Sequence, residues 1–222
     1  MAELRQQTSV PVTFARNPAD IRAVARAVQA NVFQLKVSEA RRKGLSPADH
    51  ALRVPSPGSV TSFREILIER DMLGTYSDFE LRLRLHETWG RFCLLHWYFH
   101  LTMPDGPADL ANLPRDTPGR CAAELDIKHA EIHAFLWRLR FEQSRRHDPE
   151  FTAQPRFKSD NVVALRIPVA PFGKTVEDCA DEELLLAACE HAGMLATLRW
   201  IMDATREWSA PGIMDVAERP FP

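Results

Sequence analysis

SDFELRLRLHETWGRFCLLHWYFH, residues 77–100, decides the fold. Its start is a capping box. The Ser77 hydroxyl can accept from the Glu80 amide while the Glu80 carboxylate reaches back to the Ser77 amide. Apolar residues then recur at helical spacing until Pro104, with Arg82 the first polar interruption near the start, so the spacing predicts a helix over 78–102. Leu83, Leu85, Phe92, Leu94, Leu95, Tyr98, Phe99 and Leu101 leave it no polar side, and a helix apolar all round is a buried one. Other helices must therefore enclose it.

The flanking sequence supplies them. Asn17 can cap a first helix, with Pro18 in its first position and Asp20 in its first turn. Ile21, Val24, Val28, Val32 and Leu35 repeat at helical spacing, and EARRKG at 39–44 closes it with cations and a glycine. Its exposed side carries Arg22 and Arg26. A second helix is predicted over 61–73, stopped by Gly74. A fourth opens at Thr117 or Pro118 and runs through RCAAELDIKHAEIHAFLWRLRFEQSRR. The last spans 176–208, with acidic residues at its start. Between the fourth and the last, VVALRIPVAPF at 162–172 has β-branched residues, but its prolines confine it to an edge strand or an extended arm. The expectation is an all-α protein, a bundle of about five main helices with an irregular excursion before the last. It forms one domain over 1–222, with an N-terminal arm at 1–16 and an extended segment at 147–174.

Bulk composition excludes several function classes. The chain has 222 residues, 45% hydrophobic and 26% charged, with a formal net charge of -2. That length affords a core without staples. The absence of a basic excess argues against nucleic acid as a partner. No apolar run of signal-peptide or membrane-span length is present, so the reading is cytoplasmic with no membrane. Cys93, Cys121, Cys179 and Cys189 show no CxxC spacing and read as reduced thiols.

The chemistry-bearing residues are histidines on predicted buried faces. With His86 at zero on a helical wheel, Trp89, Cys93, His96, Trp97 and His100 all fall within about 100° of one another. On the fourth helix, Leu125, Ile132, Leu136 and Leu139 form the apolar stripe. His129 lies within that stripe, and Asp126 and His133 lie on its flank. On the last helix His191 is embedded among Leu184, Ala188, Leu195 and Leu198. Neutral imidazole is a good ligand for iron, zinc, copper, nickel or haem iron, and His96/His100 and His129/His133 have the i, i+4 spacing to chelate one ion. The first expectation is therefore a histidine-lined interior pocket that binds a transition metal or haem, with redox chemistry as its use. His96, His100, His129 and His133 would be the metal ligands, and His86, Cys93, Trp97 and His191 would line the cofactor. Asp126 would orient an imidazole.

Known patterns fit poorly. A ferritin-like di-iron site wants two Glu-x-x-His units; only Asp126-x-x-His129 approaches that, and Glu87 and Glu190 read as pointing away from the stripes. HAEIH at 129–133 has its Glu in the wrong place for a zincin. No glycine-rich phosphate loop occurs. For each histidine taken singly the competing reading is a core imidazole bonded to a carbonyl, and Trp89, Trp97, Trp137 and Trp200 read as core. The second expectation is a non-catalytic accessory protein, docking on a larger assembly through its proline-rich loops (47–58, 104–118), the 148–172 excursion and the C-terminal tail. A homodimer is compatible with either.

Overall fold

The first long helix, α1 (Pro18–Arg42), begins where the sequence places it. The Asn17 side chain accepts from the Ala19 amide at 2.9 Å, Pro18 opens the first turn, and Gly44, at φ 66°, follows the end. This helix belongs to a computed structural model, which describes residues 16–45, 70–101, 110, 113–147, 169, 172–203 and 205–208. Among these the protein is an all-α bundle: α1, α2 (Arg70–Thr75), α3 (Asp78–Tyr98), α4 (Ala122–His147) and α5 (Asp181–Met202). Of the helix expected over 61–73, residues 61–69 lie outside the described ones.

The Ser77–Glu80 capping box of α3 is formed, with the Ser77 amide donating to Glu80 at 2.7 Å and the Glu80 amide donating to Ser77 Oγ at 3.2 Å. The helix ends at Tyr98 rather than 102. Phe99 caps it, and His100 turns into the left-handed region at φ 56°. α4 starts at Ala122, later than Thr117 or Pro118, because the preceding chain is pinned across the end of α3. The Arg120 amide donates to the Tyr98 carbonyl at 3.0 Å, and its guanidinium donates to the Trp97 carbonyl at 2.7 Å. Those bonds hold Arg120 away from a helical path.

The last helix is shorter than 176–208 at both ends. Val176–Asp178 forms a 3₁₀ turn, and Cys179 and Ala180 are extended before α5 begins. The physical reason is Arg146 of α4, whose guanidinium donates to the Val176, Glu177 and Cys179 carbonyls at 3.2, 3.0 and 2.8 Å. A continuous helix would spend those acceptors on its own amides. Arg146 is held in turn by Glu142, which is fully buried and also binds Arg145. Of the predicted strand at 162–172, the described part shows one antiparallel bridge, Val169 to Lys174, around a turn with Gly173 at φ 65°.

α5 is the central rod. It packs against α3 on one side and α4 on another, while α1 covers α3. Phe92, Leu95, Leu125, Leu139, Leu184 and Leu198 belong to one continuous core with Ile21, Val28 and Val32 of α1. Among the described residues α5 alone is long and apolar enough to cross a membrane, and 67% of its apolar window is buried inside the bundle.

The α3–α5 crossing is unusually close. A Cβ added to Gly90 would run into the carbonyl of Glu190, and one added to Gly193 would run into the carbonyl of Glu87. The two helices thus present the same tetrapeptide pattern to each other in antiparallel register, Glu87-x-x-Gly90 against Glu190-x-x-Gly193. Glycine is required here for close backbone approach, not for its conformational freedom.

Candidate functional site

The crossing buries both glutamates, each only 5% exposed. Glu87 and Glu190 were expected to point away from the histidine stripes; the structure buries both and brings Glu190 to His86. Close approach at Gly90 and Gly193 turns their face of each helix inward. The signal was present in the sequence as the repeated Glu-x-x-Gly. Arg91 Nη2 donates to Glu87 Oε1 at 2.9 Å, one turn along α3. His86 Nδ1 lies 3.4 Å from Glu190 Oε2, so the histidine that opens the stripe meets a carboxylate of α5. Cys93 and Cys189 share this seam. Burial first, and then the nearby Glu190 and Glu87 charges respectively, push each thiol up to about 12. Such thiols stay protonated and serve as small packing groups rather than ligands or nucleophiles.

The remaining α3 residues take separate places. His96 is buried beside Phe92, with ring centres 4.5 Å apart. His100 is exposed beyond the helix end, so the i, i+4 relation to His96 does not survive in the fold. Trp97 offers its ring to cations, Arg120 at 4.6 Å and Lys128 at 5.6 Å. On α5, His191 Nδ1 donates to the Ala187 carbonyl at 2.9 Å, and its ring stacks on Phe135 at 3.9 Å. Burial lowers its pKa, and the Ala187 bond offsets only part of that. His191 has the geometry of a carbonyl-bonded core imidazole.

His129 and His133 of α4 do come together. Their ring centres are 4.5 Å apart, and both Nε2 atoms meet the guanidinium of Arg199 on α5. Arg199 Nη2 lies 2.8 Å from His133 Nε2, and its Nε donates to His129 Nε2 at 3.5 Å. Arginine only donates, so both Nε2 atoms act as acceptors and the imidazoles are neutral with Nδ1 protonated. The pKa of each is lowered, by burial first; the Arg199 charge adds to this at His129, and His129 and Arg199 add to it at His133. Asp126, one turn earlier and exposed, pulls the other way on His129. The α3 and α4 histidines meet different partners on α5: His86 meets Glu190, while His129 and His133 meet Arg199. Among the described residues no three or more His, Cys, Asp or Glu side chains are grouped to hold one metal ion.

The outer face of α4 was missed by the sequence reading. Leu125, Ile132, Leu136 and Leu139 are buried, as expected. About 180° round the helix run Ala123, Ile127, Ala130, Ala134, Trp137 and Phe141. All are exposed except half-buried Phe141; Ile127 is 62% and Trp137 39% exposed. Trp137 is therefore a surface residue, not the core residue expected, and its ring stacks on Phe141 at 5.4 Å. The spacing 4, 3, 4, 3, 4 along this line could have been counted in the sequence. It was masked by the stronger buried stripe on the other side.

Compared with protein-family models, curated proteins and solved structures, the chain matches none.

Proposed function

We propose that the chain is a non-catalytic accessory protein that docks on another protein surface, and that the outer face of α4 is where it docks. The observation that supports this is the exposed apolar line from Ala123 to Phe141. Surface helices ordinarily turn charged and polar residues outward and keep one apolar stripe for the core. α4 has its core stripe and a second apolar line behind it. A contiguous exposed apolar patch of this kind marks an interaction surface. The proline-rich segments that suggested docking in the sequence fall largely outside the described residues, so the proposal rests on α4.

Oxidative footprinting of Trp137 tests the reading. The expected result is protection of Trp137 in extract of the source cells relative to dilute purified protein. Equal reactivity in both would overturn it.

A second reading concerns the α4–α5 edge. Two imidazole lone pairs converge on one cation, the Arg199 guanidinium, and a divalent transition metal is a stronger acceptor for the same pair. His129 and His133 would hold the ion, with Asp126 nearby and Arg199 swung aside. The proposal is confined to a metal ion, since the histidines expected to enclose a haem stand on different helix faces. Titration calorimetry with Ni²⁺ or Zn²⁺ tests it. Binding should vanish in His133→Ala and tighten in Arg199→Ala, where the competing cation is removed. Indifference to both substitutions would refute it.

A further inference from the structure

We infer that the occupant of the outer face of α4 is a second copy of this chain, laid antiparallel on the same face. The inference rests on that face being a docking surface and names its partner. The six positions are symmetric about position 132: Ala123 mirrors Phe141, Ile127 mirrors Trp137 and Ala130 mirrors Ala134. A two-fold axis through that level, perpendicular to α4, sets each residue against its mirror in the other copy. Each large ring then meets a smaller side chain. Phe141 lies over Ala123, Trp137 packs on Ile127, and the two alanines meet at the axis, where they let the helices approach closely. This is the self-complementarity that an isologous interface demands. A parallel pairing would stack Trp137 on Trp137 and leave gaps between facing alanines.

The charges on one flank agree. Asp126 lies towards the start of the line, His133 beside its centre and Arg140 towards its end. Antiparallel pairing brings Asp126 of each copy within about 3 Å, along the axis, of the level of Arg140 in the other. In a parallel two-fold pair this flank of one copy would face the opposite flank of the other, so Asp126 and Arg140 would not meet. The other flank brings Glu131 of each copy near the axis, and Lys128, paired to Glu131 at 2.9 Å, offsets that charge.

The size suits a modest dimer. Residues 123–141 span about 27 Å of helix. A contact of that length and roughly 10 Å width on each copy, allowing for curvature, buries on the order of 1,000 Å² in total, near the lower limit for a specific interface. Association in the micromolar range is the expected outcome.

The test uses the full chain with Cys121→Ser, since Cys121 is exposed. Ala130→Cys and Ala134→Cys are purified separately in that background. Mixed under mild oxidation they should form a covalent dimer, while each alone should form little, because only the 130–134 pairing brings the two Cβ atoms within disulfide reach. Sedimentation of the otherwise unmodified chain should show concentration-dependent dimer, and Trp137→Glu should weaken it by at least about tenfold. Crosslinking of Ala130→Cys with itself would overturn the antiparallel arrangement. A dimer insensitive to Trp137→Glu and without the mixed crosslink would place self-association elsewhere and overturn the inference. A monomer at high concentration with Trp137 protected in extract would replace the second copy by another protein and leave the docking reading standing. A monomer with Trp137 equally reactive everywhere would remove both.

Discussion

Replacing Gly90 by alanine tests the architecture at its tightest point. The added Cβ would lie 2.7 Å from the Glu190 carbonyl carbon, where ordinary contact begins at 3.4 Å, and closer still to the carbonyl oxygen. The obstacle is backbone, so no rotamer change relieves it, and α3 and α5 must separate by about 1 Å. A gap of that size forfeits a quarter to a half of the dispersion energy of each contact it opens. Overpacking of this kind costs typically 1–3 kcal/mol, and an unyielding backbone places it near about 3. The alanine returns roughly 1 kcal/mol through its better helix propensity. The net loss of about 2 kcal/mol corresponds to a Tm lowered by about 4–8 °C in a chain of this size. Gly193→Ala should behave alike, since its Cβ would lie 3.0 Å from the Glu87 carbonyl carbon and nearer to the oxygen. One separation relieves both clashes, so the double variant should lose less than the two single losses added, by about 1 kcal/mol. Gly74→Ala is the control: nothing lies within 4 Å of its Cβ, and its Tm should stay level or rise slightly. The assay is thermal and urea unfolding of all four proteins. A Gly90→Ala protein as stable as wild type would refute the close crossing and, with it, the burial of Glu87 and Glu190.

Three further outcomes follow from the polar interior. Glu142→Gln removes the carboxylate that holds Arg145 and Arg146; because both arginines reach partial solvent, the loss should be about 2–4 kcal/mol rather than the full penalty of an orphaned buried charge, read by urea unfolding. Burial alone would raise the Glu142 pKa, but its bonds from Arg145 and Arg146 win and lower it from 4.5. The unfolded chain then takes up the proton first, so this stabilisation is complete above pH 4.5 and drains away as pH falls towards the folded pKa; Glu142→Gln should flatten the acid limb of Tm against pH. His129, His133 and His191 are all lowered from 6.5, so stability should likewise fall as pH drops from 6.5 towards their folded values, and the His129→Gln/His133→Gln double variant should flatten that segment of the profile.

Amino-acid order alone determined that long helices form and fixed the ends that carry a local cap, as at α1 and the start of α3. Asn17-Pro18, the Ser77–Glu80 box and Gly44 act through bonds and dihedrals within one turn, and such signals need no tertiary partner. The burial of α3 and the core stripe of α4 were legible for the same reason, since periodicity reports a face directly. Which faces meet was not legible. Periodicity places His86, His96, His100, His129 and His133 on or beside apolar sides of their helices, but only packing decides that His86 meets Glu190 of α5 while His129 and His133 meet its Arg199. Arg146 cut the last helix short by taking carbonyls thirty residues away in sequence, a competition no local rule contains. Gly90 and Gly193 carried a pattern that could be read on either helix, yet its meaning as a crossing appears only when the two are set antiparallel. Helix formation depends on neighbours in the chain, whereas a site depends on neighbours in space. The interhelical contacts that assemble such neighbours join residues more than a hundred positions apart, as His86 and Glu190 are.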